Sequence, residues 1–128
     1  MLLTNMISKP MIQNKKGLIV FFSSVASVVN EIGSTSYAAS KSGLETFSQI
    51  IQKELEKFKI KVATFRILYV PTRLSADLND KEINLLKNKF KSNKFGSVDE
   101  IFQEVNNLYN QKNIPSNSLF YDQLENEK

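Results

Sequence analysis

The sequence predicts an α/β fold in which parallel strands are flanked by helices, and two observations carry this prediction. Five consecutive apolar residues, from Leu18 to Phe22, are typical of a strand that is buried on both faces of a parallel sheet. A long amphipathic helix and a second apolar strand follow, which is the βαβ order with an expected right-handed crossover. A chain of 128 residues, 41% of them hydrophobic, is long enough for one such domain.

The first predicted element is a helix that ends at the turn Asn14 to Gly17. The spacing of its apolar residues suits one buried face, and Pro10 is expected to interrupt or kink it. These apolar residues are Met1, Leu3, Met6, Ile7 and Met11. The strand that follows is expected to end at Ser23 and Ser24.

A loop and the longest helix come next. Residues 27 to 36 are rich in Ser, Thr, Asn and Gly and predict a loop. Three of its apolar residues are expected to be tucked inward, namely Val28, Val29 and Ile32. The helix runs from about Ser36 to Lys57, with one apolar face formed by Leu44, Phe47, Ile51, Leu55 and Phe58. A second strand is predicted over Ile60 to Leu68.

The rest of the chain predicts two more helices and a short strand. Ser75 to Lys94 is helical in pattern and strongly charged. The helix from Ser97 to Tyr109 has a clear start, because Ser97 and Glu100 can form a capping box. Ser118 to Tyr121 predicts a third strand.

Composition excludes several kinds of chemistry. The chain has no cysteine and no histidine, so disulfides, thiolate nucleophiles, serine–histidine triads and the usual zinc sites are excluded, and no metal site is expected. The net charge of +4 is spread among polar residues, which favours a solvated surface over a nucleic-acid interface. No apolar run approaches the length of a membrane span. We therefore expect a cytoplasmic protein with no membrane or nucleic-acid partner.

Three residues form a candidate set for proton transfer. Tyr37 and Lys41 are one helical turn apart, so both project from one face near a helix start. A phenol with its ordinary pKa of about 10 is a poor acid and base at neutral pH, and a nearby ammonium favours its ionised form. Ser24 ends a strand, where its hydroxyl can stabilise charge on a substrate oxygen. Each feature alone is more often structural, but their combination is specific.

The residues around this set are similar to the active-site region of short-chain dehydrogenase/reductases. The similar segments are Gly17 to Ala26 and Ser36 to Gly43, and Ser24 precedes Tyr37 by thirteen residues, as the catalytic serine of that family commonly does. The resemblance covers about residues 1–121. It implies the carboxyl-terminal half of a doubly wound, Rossmann-like domain, followed by a polar tail at 122–128.

The resemblance also implies a role for each matching residue. Tyr37 would exchange a proton with the oxygen of a small carbonyl or alcohol substrate, which Ser24 would orient. Lys41 would assist Tyr37 and hold the nicotinamide ribose of NAD or NADP, so that Tyr37 and Lys41 both border the cofactor. Thr72 aligns with a threonine that commonly contacts the nicotinamide carboxamide.

Helix pairing is a further implication. In the family, the helix that begins near Tyr37 commonly packs against its mate in a homo-oligomer. Phe47, Ile51 and Leu55 would then face either the partner or the chain's own core.

The sequence departs from the family pattern before this region. The glycine-rich TGxxxGxG turn and the NAG motif are missing, and Ile67-Leu68 stand where Pro-Gly is usual. The expected function is NAD(P)-dependent oxidoreduction by a truncated or partial chain that binds little dinucleotide alone. Two alternatives stay open, a non-catalytic remnant or interaction module and a fragment of a nucleotide-sugar epimerase or dehydratase. Whether the chain is itself an enzyme is left open.

Overall fold

The computed structural model describes residues 2–29, 32–67, 70, 79–90, 97–111 and 119–122. Within these residues the chain forms, in order, α1 (Leu2–Asn14), β1 (Gly17–Ser24), a 3₁₀ turn (Val25–Ser27), α2 (Thr35–Glu56), β2 (Ile60–Ile67), α3 (Asp80–Phe90), α4 (Val98–Asn110) and β3 (Leu119–Asp122). The α/β class predicted from the sequence is confirmed.

The described strands form one parallel sheet in the order β1, β2, β3. The β1–β2 register runs from Gly17 opposite Ile60 to Ser24 opposite Ile67. β2 is therefore the central strand, and its residues are more deeply buried than those of β1. The run at 18–22 is a strand as predicted, but only Ile19 within it is fully buried, because β1 is an outer strand of the described sheet.

The sheet is packed between two helical layers. One face packs against α1 and α2 through the cluster Ile19, Ile51, Leu55, Ile60 and Val62, with Met11, Ile12, Phe21, Phe47 and Phe58 around it. The other face packs against α4 through Ala63, Phe65 and Leu108, with Leu18, Val20, Ile67, Ile101 and Val105 around them. Alternate residues of β1 and of β2 thus enter different cores.

The helices α2 and α4 lie on opposite sides of the sheet. α2, between β1 and β2 in the chain, packs on one face, whereas α4, between β2 and β3 in the chain, packs on the other.

The predicted apolar face of α1 is wrong. The helix buries Thr4 and Ser8 and leaves Leu2, Leu3 and Met6 exposed. Of its apolar residues, Met11 and Ile12 in the last turn pack against the core cluster beside β1. The helix also continues through Pro10 to Asn14.

The loop before α2 also differs from prediction. Val28 and Ile32 are exposed, not tucked inward. The backbone closes the turn instead, since the amides of Val28 and Val29 both donate to Val25 O at 3.0 Å. Gly33 has φ of +88°, a left-handed conformation that glycine adopts at little cost on the way into α2.

The second half of the chain agrees with prediction where the structure describes it. α3 spans Asp80–Phe90, inside the predicted helix. The capping box of α4 is present, with Ser97 N donating to Glu100 Oε2 at 2.9 Å and Glu100 N donating to Ser97 Oγ at 3.1 Å. β3 ends at Asp122, one residue beyond its predicted end.

Lys61 on β2 forms hydrogen bonds to the last residues of α4. Its ammonium donates to Leu108 O at 2.9 Å and to Tyr109 O at 3.1 Å, and it also contacts Gln111 O. A cation is favoured there because the last carbonyls of a helix carry partial negative charge. Among the described helices, none has the length and apolar character needed to cross a membrane.

A buried and an exposed phenylalanine offer a test of this layering. Phe65 has 0% of its surface exposed, whereas Phe102 on α4 is 67% exposed. We expect Phe65→Ala to lower the free energy of unfolding by about 3–5 kcal/mol and Phe102→Ala by about 0.5 kcal/mol or less. Urea unfolding followed by circular dichroism measures both, and equal losses would contradict the layering.

Candidate active site

The strand end at Ser24 forms one side of the candidate site. Ser24 has extended backbone angles (φ −142°, ψ 154°) and precedes the 3₁₀ turn. Its Oγ accepts a hydrogen bond from Ala26 N at 3.2 Å, so the serine caps this turn. Sequence reasoning placed Ser24 at the end of a strand, and the structure has it there.

Tyr37 and Lys41 lie in the first turns of α2. Lys41 Nζ is 5.7 Å from the centroid of the Tyr37 ring and donates to Phe22 O at 2.9 Å. The structure thus brings Lys41 both to Tyr37 and to the carboxyl end of β1, two residues before Ser24. Tyr37 is half exposed, so its ring is accessible to a ligand. Thr72 lies outside the described residues.

A buried carboxylate joins this helix to both neighbouring strands, and sequence reasoning missed it. Glu45 is only 7% exposed. Its Oε1 accepts from Ser23 Oγ at 2.7 Å, from Ser27 Oγ at 2.6 Å and from Arg66 Nε at 3.0 Å. Its Oε2 accepts from Arg66 Nη2 at 2.8 Å, which completes a two-pronged ion pair.

The charge state of this carboxyl follows from its surroundings. Burial raises the pKa of Glu45, but the hydrogen bonds from Arg66, Ser27 and Ser23, together with the positive charge of Arg66, outweigh that effect. The pKa of Glu45 therefore lies below its ordinary value of 4.5. The carboxylate is ionised at neutral pH.

A polar signal for this cluster was present in the sequence. Ser48 follows Glu45 by one turn, and both are buried on the side of α2 that faces the sheet. Their partners on β2 are Arg66 and Thr64, and Thr64 Oγ1 donates to Ser48 Oγ at 2.7 Å. Polar residues matched in this way on a helix and on alternate positions of a strand indicate a buried polar contact.

The residues present fit one end of a nicotinamide dinucleotide. An ammonium group has three donors, and the described hydrogen bond of Lys41 uses one of them. The hydroxyl of Tyr37 and the ammonium of Lys41 suit the hydroxyls of a ribose. The fit described by these two residues concerns the ribose end of the dinucleotide.

Several known proteins are similar to this chain in sequence. A family model described as short chain dehydrogenase matches residues 1–83. The chain is 35% identical over 95 residues to a 3-oxoacyl-[acyl-carrier-protein] reductase of Bos taurus, covering 74% of this chain and 39% of that protein. It is 32% identical over 114 residues to carbonyl reductase family member 4 of Xenopus laevis, covering 89% of this chain and 47% of that protein.

Solved structures share the fold. A 4-hydroxyisoleucine dehydrogenase complexed with NADH superposes with a TM-score of 0.83 at 22% identity, over 95% of this chain and 52% of that one. A gluconate 5-dehydrogenase from Burkholderia cenocepacia in complex with NADP and tartrate gives 0.77 at 21% identity, over 91% and 47%. The chain thus spans about half the length, or less, of these proteins.

The low pKa of Glu45 predicts a pH-dependent stability. Because the pKa is lower in the folded chain than in the unfolded one, the carboxylate stabilises the fold fully above about pH 4.5, and this contribution is lost as the pH falls further. We expect Glu45→Gln to be less stable than the unmodified chain by about 2 kcal/mol at pH 7, with a smaller difference at pH 3. Urea unfolding at both pH values measures this, and a difference independent of pH would contradict it.

Proposed function

Because this chain belongs to the short-chain dehydrogenase family, we propose that it takes part in NAD(P)-dependent reduction of a carbonyl or oxidation of an alcohol. The observation that carries the proposal is the position of Lys41, whose ammonium lies beside the Tyr37 ring and on the carboxyl end of β1. The relatives compared above are named as reductases, and the solved structures were complexed with NADH or NADP.

The three candidate residues have different roles in the proton transfer. In reduction, Tyr37 donates its phenolic proton to the substrate oxygen as the carbonyl becomes an alcohol; in oxidation it takes that proton back. Ser24 donates a hydrogen bond to the same oxygen and stabilises its developing negative charge. Lys41 supplies positive charge beside the phenolate that remains on Tyr37.

The same residues hold the nicotinamide end of the cofactor. The bond change at carbon needs a hydride, which NADH or NADPH supplies when bound. Lys41 and Tyr37 contact the ribose hydroxyls in this proposal, and Thr72 contacts the carboxamide. We assign residues 1–121 to the carboxyl-terminal half of the family's domain and 122–128 to a polar tail. The cytoplasmic location stays a prediction.

A non-catalytic interaction module is the second candidate. Leu2, Leu3 and Met6 of α1 are exposed, and such an apolar surface would suit a protein partner. The two candidates differ in one measurable respect. Oxidoreduction requires binding of NADH or NADPH, whereas the module does not.

Homo-oligomerisation through α2 is part of the proposal, with a changed contact surface. Ile51 and Leu55 are buried in the chain's own core and Phe47 packs beside them, so these residues are occupied within the chain. The exposed apolar residue Ile50 lies on the outer side of α2. We therefore place the helix contact at the surface around Ile50.

Replacing the phenol tests the catalytic proposal. We expect Tyr37→Phe to lower the rate of NADPH oxidation with a 3-oxoacyl thioester by 100-fold or more, because it removes the proton donor and keeps the ring. Tyr109→Phe, at another exposed tyrosine, is the matched control and should retain the rate. A purified chain that neither binds NADH or NADPH by fluorescence titration nor reduces the thioester would favour the interaction module.

A charge on the outer side of α2 tests the oligomer. We expect Ile50→Glu to convert a dimer into a monomer, because two carboxylates would be brought together in an apolar contact. Size-exclusion chromatography with light scattering measures the mass in solution. A monomeric unmodified chain, or a variant that stays dimeric, would contradict the proposed contact.

A further inference from the structure

The hydrogen-bonded cluster of Glu45, Arg66, Ser23 and Ser27 has no part in the proton transfer just described. Its two serines lie on either side of Ser24 in the chain. We propose that Glu45 is a positioning residue that, through Ser23 and Ser27, fixes the Ser24 segment relative to Tyr37 and Lys41. This inference rests on the proposed function, because positioning matters to chemistry only if Ser24 contacts the substrate.

The first step of the argument is the convergence of three elements on one carboxylate. Ser23 is at the end of β1, Ser27 is in the 3₁₀ turn, and Arg66 is on β2. All three donate to Glu45 Oε1 at 3.0 Å or less. A carboxylate oxygen that accepts several short hydrogen bonds fixes its donors relative to one another.

The second step is that these donors flank Ser24. Ser23 precedes it directly and Ser27 follows three residues later, so the carboxylate holds the segment on both sides. Lys41, one turn before Glu45 on α2, holds Phe22 O at 2.9 Å, and Ser42 Oγ donates to Ser27 O at 2.8 Å. Side chains of α2 thus donate to backbone carbonyls at both ends of the segment from Phe22 to Ser27. The described hydrogen bond of Ser24 itself is accepted from Ala26 N.

The third step concerns the cost of burying the charge. A buried carboxylate without a cation is strongly unfavourable. Arg66 is directly opposite Ser23 in the β1–β2 register, so its guanidinium reaches the carboxylate beside the serine hydroxyl. The ion pair offsets the free-energy cost of burying the Glu45 carboxylate. The hydrogen bonds from Ser23 and Ser27 to the same carboxylate then position the 3₁₀ turn.

A purely structural role predicts a different result from a positioning role. If Glu45 only joins α2 to β2, the ion pair with Arg66 is sufficient and the serine hydroxyls are dispensable for the Ser24 segment. If Glu45 positions Ser24, removal of the two hydroxyls loosens that segment while the ion pair remains. Replacing Glu45 itself would remove the Arg66 ion pair and both serine contacts at once, so the serines are the better target.

The test compares three variants of the full chain. Ser23→Ala combined with Ser27→Ala removes both donors, and Ser23→Thr combined with Ser27→Thr restores a hydroxyl at each position. Ser8→Ala is the matched control, since Ser8 is also buried and its described hydrogen bond is to Asn5 O in its own helix. Amide hydrogen exchange is followed at Ala26, whose N–H Ser24 caps, and at Val62 in the centre of the sheet.

We expect the alanine pair to speed exchange at Ala26 roughly tenfold relative to Val62, because hydrogen bonds to a charged group are lost. The threonine pair and Ser8→Ala should leave that ratio within about twofold of the unmodified chain. An unchanged ratio in the alanine pair, or an equal change in Ser8→Ala, overturns the proposal.

Kinetics separate this inference from the proposed function. In a chain that reduces the thioester, the alanine pair should lower kcat about tenfold and change KM less than twofold, with recovery in the threonine pair. A looser segment with unchanged kcat means that Glu45 orders the turn without positioning a catalytic group, which also overturns the inference. If the chain does not reduce the thioester, the proposed function is contradicted. Glu45 then positions no catalytic group, whatever the exchange ratio shows.

Discussion

The parallel register of β1 on β2 is the constraint on which the site depends. It sets Ile19 opposite Val62, Phe21 opposite Thr64 and Ser23 opposite Arg66 along the face that α2 covers. The pairs are apolar at the strand starts and polar at the strand ends. A shift of β2 by one residue would turn Val62, Thr64 and Arg66 to the α4 side and separate them from their β1 partners, because side chains alternate along a strand.

The side of α2 that faces the sheet changes from apolar to polar in the same direction. Its later residues Ile51 and Leu55 join the apolar core, while Ser48 bonds to Thr64 and Glu45 binds Arg66. The helix runs back along the strands, so its first turns reach their carboxyl ends, where ligands of open α/β sheets bind. The chemistry of Tyr37 and Lys41 is therefore placed by the same packing that forms the core.

Local patterns made most elements of the fold predictable. The apolar run of β1, the long periodic helix and the Ser97–Glu100 capping box each depend on neighbouring residues, and each is present in the structure. The burial of α1 was not predictable in this way. Its apolar spacing suited a buried face, but the direction in which it packs on the sheet depends on tertiary contacts, and Thr4 and Ser8 face inward.

The candidate site likewise contains residues that local patterns predict and a residue that depends on tertiary contacts. Ser24, Tyr37 and Lys41 were predictable because their spacing within one short stretch matches a known pattern. Glu45 was missed, because a glutamate in the middle of a helix is usually solvated and its spacing with Ser48 is a weak signal by itself. Its meaning depends on Arg66, twenty-one residues later on the neighbouring strand. Residues that react can be read from local spacing, whereas residues that position them require the strand register, since the contacts that define them exist only in the folded chain.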